Sequence, residues 1–269
     1  MFLAEKFLTT NASGLFRLYL IGDLHADRKA FQEERFKKWR RAIIKDEHAV
    51  ALFMGDAFEG RTPGQKHFNL GTLRREYVLN MERYVDFCIQ KGVSLLKPIT
   101  DAGRPLFLVR GNHDSYQEWS GFSGALARNA GATYLDGAGM IRLRTGREKQ
   151  KHTTTIYATH GWGGGRTPGP KLNNLMSLRG VCDADIYCAA HVHDQMARIV
   201  PMPTLPSKGE LKLVKRSVAF LRAAAFLEQG QANEGGYDQD HAYPASDNGL
   251  VVLEVNPSYG TMRRIEAPF

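Results

Sequence analysis

Five short apolar runs, each followed at once by polar residues, restrict the fold of this chain more than any other feature. They cover residues 15–21, 49–54, 106–109, 154–158 and 186–190. Short continuous apolar runs that end near glycine predict strands covered on both faces. Because the carboxyl ends of such strands meet at one edge of a sheet, we expect the polar residues that follow them to lie close together.

Helical patterns separate the first three runs. Phe36, Trp39 and Ile43 lie on one helical face within residues 29–45, and residues 73–96 carry a similar apolar stripe. Alternating strands and helices predict right-handed crossovers and a largely parallel first half. The second half predicts strands with fewer helices, at residues 134–143, 153–158, 211–227 and 250–255. A second, more antiparallel sheet is therefore expected.

The chain is predicted to form a single domain over residues 1–269, because no linker divides it. Residues 229–248 are polar and rich in glycine, and they predict a long loop. No apolar run is long enough to span a membrane, so no membrane partner is expected, and acidic Glu5 argues against a secretory signal. Three cysteines without a pairing pattern, Cys88, Cys182 and Cys188, favour a reducing compartment and a cytoplasmic location.

The net charge of +8 and a pI of about 9.4 predict a surface that attracts polyanions. Basic side chains cluster at residues 37–41, within a predicted helix. Such a cluster is typical of a solvated helix face, and contact with nucleic acid is the alternative.

Five polar strings follow the apolar runs in a fixed order. They are Asp23-Leu24-His25, Gly55-Asp56, Gly111-Asn112-His113-Asp114, Thr159-His160-Gly161 and His191-Val192-His193. Carboxylate, imidazole and amide oxygen groups are ligands for divalent cations. One such string alone is common in turns, and a single histidine is usually an ordinary core or surface residue. The complete ordered set predicts a metal site.

On these strings the chain resembles the calcineurin-like metallophosphoesterase superfamily, including its small phosphoesterases of bacteria and phages. The resemblance implies an α/β fold, a four-layer α/β/β/α sandwich in which helices flank two mixed sheets. It implies that one metal ion is held by Asp23, His25, Asp56 and His193, and a second by Asp56, Asn112, His160 and His191. It also implies that His113 is the catalytic acid and that Asp114 orients it.

The chemistry of such a site is coherent. Two divalent cations bring four positive charges and two carboxylates cancel two, so the site attracts a phosphate ester. Two metal ions clamp phosphate oxygens and acidify a bridging water, and the resulting hydroxide attacks phosphorus. A histidine can then protonate the leaving oxygen. Mixed nitrogen and oxygen ligands suit transition metals better than calcium, and manganese is expected, with iron, zinc and nickel as alternatives.

The resemblance favours a phosphodiesterase, and a nuclease is one such enzyme. His113 and His193 together are shared with cyclic-nucleotide phosphodiesterases and repair-type DNA nucleases. A phosphomonoesterase is the alternative enzyme, and a non-catalytic nucleic-acid-binding scaffold of the same fold is a further alternative. The expected partner is a phosphate ester, a nucleotide or a nucleic acid, and the oligomeric state is left open.

Several residues near the strings carry two interpretations. The segment Gly60-Arg61-Thr62-Pro63-Gly64-Gln65-Lys66 recurs almost intact as Gly165-Arg166-Thr167-Pro168-Gly169-Pro170-Lys171. Its arginines and lysines contact substrate phosphates, or both copies are ordinary turns. Glu59 stands where the family often has Asp or Asn, and it orients a ligand or is a simple loop acid. The aromatic residues Phe58, Tyr116, Trp119 and Trp162 pack within the protein or stack on bases.

Overall fold

The computed structural model describes residues 1–65, 68–115, 121–147, 150–165, 167–205, 212–228 and 249–266. One sheet contains β2 (Phe16–Ile21), β3 (Ala49–Phe53), β4 (Leu106–Leu108), β5 (Thr133–Tyr134), β11 (Val251–Asn256) and β12 (Thr261–Ile265). The other contains β1 (Phe2–Thr9), β6 (Ala138–Arg147), β7 (Gln150–Thr159), β8 (Ile186–Ala189), β9 (Met196–Thr204) and β10 (Val214–Arg222). The strand orders are β12-β11-β2-β3-β4-β5 in the first sheet and β1-β6-β7-β8-β10-β9 in the second.

Helices cover the outer face of each sheet. They are α1 (Glu33–Lys45), α2 (Arg75–Val78), α3 (Tyr84–Asp101), α4 (Phe122–Ala130) and α5 (Pro168–Ser177). Helix α1 buries the predicted stripe of Phe36, Trp39 and Ile43, with acidic residues in its first turn and Lys45 in its last. With α3 and α4 it packs on the first sheet, whereas α5 packs on the second.

The main core lies between the two sheets. Inward-facing residues of the first sheet, such as Leu18 and Leu52, pack in one cluster with Ile156, Ile186 and Leu221 of the second. Two further apolar clusters fill the spaces under the helices on either side. The layers are therefore helix, sheet, sheet and helix, which confirms the predicted α/β/β/α sandwich.

The prediction of a more antiparallel second sheet is wrong. In the described residues each sheet has three parallel and two antiparallel strand pairs. Helix α5 connects β7 to β8, and these strands therefore run parallel. The sequence did not indicate α5, because Leu175 is its only fully buried apolar residue and makes no helical stripe.

Several predicted boundaries also move. Residues 29–32 precede α1 as loop, where Lys29 N–H donates to the carbonyl of Thr72 and Gln32 N–H to that of Phe226. The predicted helix at 73–96 is divided into α2 and α3, and strands β1, β9 and β12 were not predicted. Residues 229–248 lie outside the described part of the chain. Among the described helices, none has the length and apolarity needed to cross a membrane.

Candidate metal centre

The five polar strings lie at the carboxyl ends of strands from both sheets. Strands β2, β3 and β4 of the first sheet lead into the strings that begin at Asp23, Gly55 and Gly111. Strands β7 and β8 of the second sheet lead into those that contain His160 and His191. Because the two sheets pack face to face, these loops converge at one end of the sandwich, as the sequence predicted.

Unusual backbone conformation is concentrated at these loops. Six non-glycine residues in the described part of the chain have positive φ, and five of them are predicted ligands. These are Asp23 (φ 49), His25 (φ 43), Asp56 (φ 52), His191 (φ 73) and His193 (φ 54). Left-handed backbone at non-glycine residues costs free energy, and it clusters at functional sites because the surrounding structure holds it in place.

One ligand cluster consists of Asp23, His25 and His193, whose ligand atoms lie within 4.8 Å of one another. The Nε2 atoms of His25 and His193 are 3.3 Å apart, and His193 Nε2 is 3.6 Å from Asp23 Oδ1. Asp23 is fully buried, and its Oδ1 has no hydrogen-bond partner among the described residues. A buried carboxylate oxygen left in this way is costly unless a cation binds it.

A second cluster consists of Asp56, His160 and His191. His160 Nε2 lies 3.1 Å from Asp56 Oδ2, and its Nδ1 donates to the carbonyl of Met54 at 2.6 Å. Asn112 Oδ1 lies 2.9 Å from His160 Nε2 and 2.8 Å from His191 Nδ1. Because a carbonyl only accepts, the Met54 contact fixes the proton on Nδ1 and leaves His160 Nε2 as a ligand atom.

The arrangement of Asn112 fits a bound cation. Its amide oxygen points at two imidazole nitrogens, and an amide rotated by 180° would instead donate to His160, His191 and Asp56. Acceptor atoms that converge on one point are stabilised by a divalent cation, and this oxygen and nitrogen donor set suits one. The residues present therefore fit the metal ions that the resemblance implies, and the individual ligand roles remain predictions.

Glycine packing fixes Asp56 between the clusters. A Cβ on Gly111 would lie 1.9 Å from Asp56 Oδ1, and a Cβ on Gly55 would lie 2.3 Å from the Gly111 nitrogen. His113 N–H donates to Asp56 Oδ1 at 3.0 Å. Only glycine allows this close approach of two backbone segments. The position of Asp56 Oδ2 beside His160 is therefore set by backbone contacts from two loops.

His113 donates to the backbone of Glu59, and the neighbouring Asp114 bonds its own loop. The Nδ1 of His113 donates to the backbone carbonyl of Glu59 at 2.8 Å, and its Nε2 lies 3.9 Å from Asp56 Oδ2. Asp114 Oδ2 instead accepts hydrogen bonds from Gly111 N–H and Ser123 Oγ, both at 2.9 Å. The Asp114 carboxylate therefore secures the loop that carries His113, and its predicted role in orienting the imidazole remains a prediction.

Glu59 also contacts a predicted ligand. Its Oε2 lies 3.2 Å from His25 Nδ1, and Arg28 and Arg61 approach the same carboxylate at 3.5 and 3.0 Å. A carboxylate on the far nitrogen of a metal-binding histidine orients the ring and raises its basicity. Of the two interpretations of Glu59, the structure favours the orienting one. The place of Arg28 beside Glu59 was not predicted, because a single arginine after Asp27 forms no recognisable sequence pattern.

The electrostatics show how strongly these groups interact. Burial lowers the pKa of His160, but the carboxylates of Asp56 and Asp23 outweigh burial and raise the pKa to about 10. Burial likewise lowers the pKa of His25, but the Glu59 carboxylate outweighs burial and raises this pKa to about 9. Burial would raise the pKa of Asp56, yet His160 and His113 hold it far below its usual value. A cation that binds here takes the place of the protons on these imidazoles.

The basic residues predicted to contact substrate lie in different surroundings. Arg61 is paired with Glu59, close to the metal cluster, whereas Arg166 lies outside the described residues. The expectation that Lys171 reaches towards a phosphate is wrong, because this side chain is 7% exposed and its Nζ bonds Asp194 at 2.9 Å. In the basic cluster of α1, Lys37 pairs with Glu33 and Glu34.

The aromatic residues near the strings include one that is buried, one that is exposed and two that lie outside the described residues. Phe58 is buried in the core beneath α3 and α4, so it packs within the protein. Trp162 is 49% exposed in the loop that follows His160. Tyr116 and Trp119 lie outside the described residues. Stacking on a base therefore remains an interpretation for Trp162 alone among the residues that the structure describes.

Comparison with known proteins identifies the family. The family model described as calcineurin-like phosphoesterase matches residues 16–195, and no curated protein matches the chain. The solution NMR structure of Thermotoga maritima protein TM1076 is 14% identical, with 93% of this chain and 97% of that chain covered and a TM-score of 0.30. A crystal structure is 7% identical, with coverage of 94% and 99% and a TM-score of 0.35. The family match covers most of the chain and all five strings, so the chain belongs to the calcineurin-like phosphoesterase family, whose members are metal-dependent phosphoester hydrolases.

Proposed function

We propose that this protein is a phosphodiesterase that uses two metal ions and His113 as its general acid. The observation that carries the proposal is the place of His113 at the edge of the ligand clusters. Its Nδ1 is tied to the Glu59 carbonyl, while its Nε2 lies 3.9 Å from Asp56 Oδ2. With Nδ1–H committed to that carbonyl, a second proton on the ring is held at Nε2, and the imidazolium can give it to a leaving alkoxide.

In the proposal one divalent cation is held by Asp23, His25, Asp56 and His193, and the other by Asp56, Asn112, His160 and His191. Manganese is the proposed metal. When bound, such ions supply Lewis-acid stabilisation and lower the pKa of water. Glu59 keeps the rings of His25 and His113 in place, and His113 transfers its Nε2 proton to the leaving oxygen of the substrate.

Trp162 supports a substrate that carries an aromatic group, such as a nucleobase, on its phosphodiester. Its side chain is 49% exposed only two residues beyond His160. Gly161 and Gly163 on either side have φ of 100 and 88, so the backbone turns sharply at both flanks. A base stacked on an exposed aromatic ring gains about 1–3 kcal/mol. The basic net charge of +8 favours the same polyanionic class of substrate.

A pair of esters of one phenol tests the diester preference. Manganese-loaded protein is assayed with bis(4-nitrophenyl) phosphate and with 4-nitrophenyl phosphate, and we expect the larger kcat/KM for the diester. A larger kcat/KM for the monoester would overturn the assignment in favour of a phosphomonoesterase. Single-stranded and double-stranded DNA, assayed next, test whether the diesterase is a nuclease.

Trp162→Ala tests the aromatic group. We expect KM for thymidine 5′-(4-nitrophenyl phosphate) to rise roughly tenfold, because stacking is lost, while methyl 4-nitrophenyl phosphate is hydrolysed as by the wild type. Tyr259→Ala is the matched control, since Tyr259 is an exposed aromatic residue that follows β11, outside the five strings. Equal KM values for the nucleotide ester in wild type and Trp162→Ala would remove the base from the proposal.

A further inference from the structure

A buried arginine lies directly beneath the loop that carries His191 and His193. Arg222 ends β10 and is only 2% exposed, within an otherwise apolar run at residues 218–227. Its Nη1 donates to the carbonyl of Ala190 at 2.9 Å, and its Nη2 donates to the carbonyl of Lys171 at 3.2 Å. The guanidinium therefore joins the residue before His191 to the first turns of α5.

A second buried cation closes the other end of the same loop. Lys171 Nζ donates to Asp194 Oδ2 at 2.9 Å, and Asp194 directly follows His193. Because Arg222 binds the carbonyl of Lys171, the two cations are linked through one residue of α5. Lys171, Asp194 and Arg222, which we name the ligand-loop brace, thus hold both ends of the His191–His193 loop.

The buried charge of Arg222 is not explained by packing. Burial lowers the pKa of the guanidinium, against the attraction of the Asp23 and Asp194 carboxylates. A buried charge is costly, and an apolar side chain of similar volume often serves stability equally well. Leucine or methionine, however, cannot donate to the carbonyls of Ala190 and Lys171. The property that arginine alone supplies at this position is the pair of bonds.

The loop needs such a restraint because its histidines are strained. His191 and His193 both have left-handed backbone, and conformations of this kind persist only when their surroundings hold them. Two backbone N–H groups of the loop are held by other strings: Asp23 Oδ2 accepts from His191 N–H at 3.1 Å, and the carbonyl of His160 accepts from Ala190 N–H at 2.8 Å. The carbonyl of Ala190 is held by Arg222.

We propose that Arg222 and Lys171 are positioning residues that set the affinity of the centre for its metal ions by fixing the loop of His191 and His193. This inference rests on the metal centre of the proposed function and is independent of the substrate. One histidine of the loop belongs to each ligand cluster. Loss of the brace therefore weakens both metal positions rather than one.

Manganese binding to Arg222→Met and Arg216→Met, measured by calorimetry and by metal content after gel filtration, tests the inference. Arg216 is the matched control, because it lies on the same strand and is ion-paired with Asp183 and Asp185 away from the five strings. We expect Arg222→Met to lose about 10–100-fold in affinity, as for residues that orient metal ligands. Arg216→Met should keep wild-type affinity. In EDTA, the midpoint of thermal unfolding should be lowered no more by Arg222→Met than by Arg216→Met.

Two more variants complete the test. Arg222→Lys keeps the charge but replaces the two nitrogens that reach the two carbonyls with a single nitrogen on a shorter side chain, so we expect most of the affinity to stay lost. If Arg222→Met does not fold in EDTA, Lys171→Met replaces it, with an expected loss of about tenfold. Wild-type affinity in Arg222→Met or Lys171→Met, full rescue by lysine, or an equal loss in Arg216→Met would each overturn the brace alone. A wild-type protein that binds no manganese would overturn both the brace and the proposed function.

Discussion

The two sheets contribute different halves of the candidate metal centre, and they fix their side chains by different means. The first sheet brings Asp23, His25, Asp56, Asn112 and His113, whereas the second brings only the histidines His160, His191 and His193. In the first half, two glycines let the backbone pack directly on Asp56. In the second half, a long buried side chain, Arg222, supports the loop from below.

This difference bears on how each half tolerates change. A backbone contact leaves no room for even one added carbon, so the first half is rigid. A side-chain support can be altered in steps, as in the series Arg, Lys and Met. Asp56 connects the halves, because it lies on a loop of the first sheet and reaches His160 of the second. Four substitutions separate these contributions, from the largest expected effect to the smallest.

Asp56→Asn should have the largest effect, because it removes the carboxylate that we assign to both metal ions. Lewis-acid stabilisation is worth several kcal/mol, so activity should fall by roughly 10³-fold or more. Metal analysis should show loss at both positions. His193→Ala, the comparison variant from the second half, should weaken mainly one. Two retained ions with normal turnover in Asp56→Asn would remove the bridging assignment.

His113→Asn should leave the metals bound and slow the reaction. The acid belongs to the first half alone, and it acts only when the leaving oxygen needs a proton. We expect a loss of roughly 10²–10⁴-fold for alkyl leaving groups. The loss should shrink for 4-nitrophenolate, which departs without protonation. An equal loss on both kinds of ester would contradict the role of His113 as acid.

Gly111→Ala compares the rigidity of the two halves directly. Its Cβ would meet Asp56 Oδ1 at 1.9 Å, and we expect about 1–3 kcal/mol of lost stability together with weaker metal binding. Gly164→Ala is the control in the second half, because a Cβ there has no atom of the described residues within 4 Å. It should change stability by less than about 0.5 kcal/mol. Equal unfolding midpoints for both variants would show that the glycine packing is unimportant.

The sequence predicted the strand-end placement of the strings because buried strands and metal-binding residue types leave strong local patterns. It did not predict α5, β1, β9 or β12, since edge strands and short helices bury few side chains. The brace gave one signal, an arginine inside an apolar run, but its partners are backbone carbonyls, which carry no sequence pattern. The contact that holds His113 is likewise made by a backbone carbonyl, that of Glu59, so no sequence pattern indicated it.

The repeated segment shows why local sequence was insufficient. In the first copy Thr62 N–H donates to the Gln65 side chain at 3.0 Å, and a turn results. In the second copy Pro170 stands at the position of Gln65. Helix α5 begins there at Pro168, directly after Thr167, and Lys171 is buried. Proline in the first turn of a helix loses no hydrogen bond. The two copies therefore adopt different structures although they differ at a single residue.

Arg61→Met should have the smallest effect, and it tests the copy that still lies beside the metal ligands. We propose that Arg61, at 3.0 Å from Glu59 and 21% exposed, contacts a phosphate beyond the scissile one. KM for an oligonucleotide should then rise severalfold, and the slope of log affinity against log salt should fall by about one. A small diester with one phosphate should be unaffected. Because Arg61 also pairs with Glu59, a loss on both substrates would instead mean that it supports His25 and His113 through that carboxylate. Arg28→Met removes a neighbouring arginine of the same carboxylate and separates these outcomes, since it should affect both substrates alike.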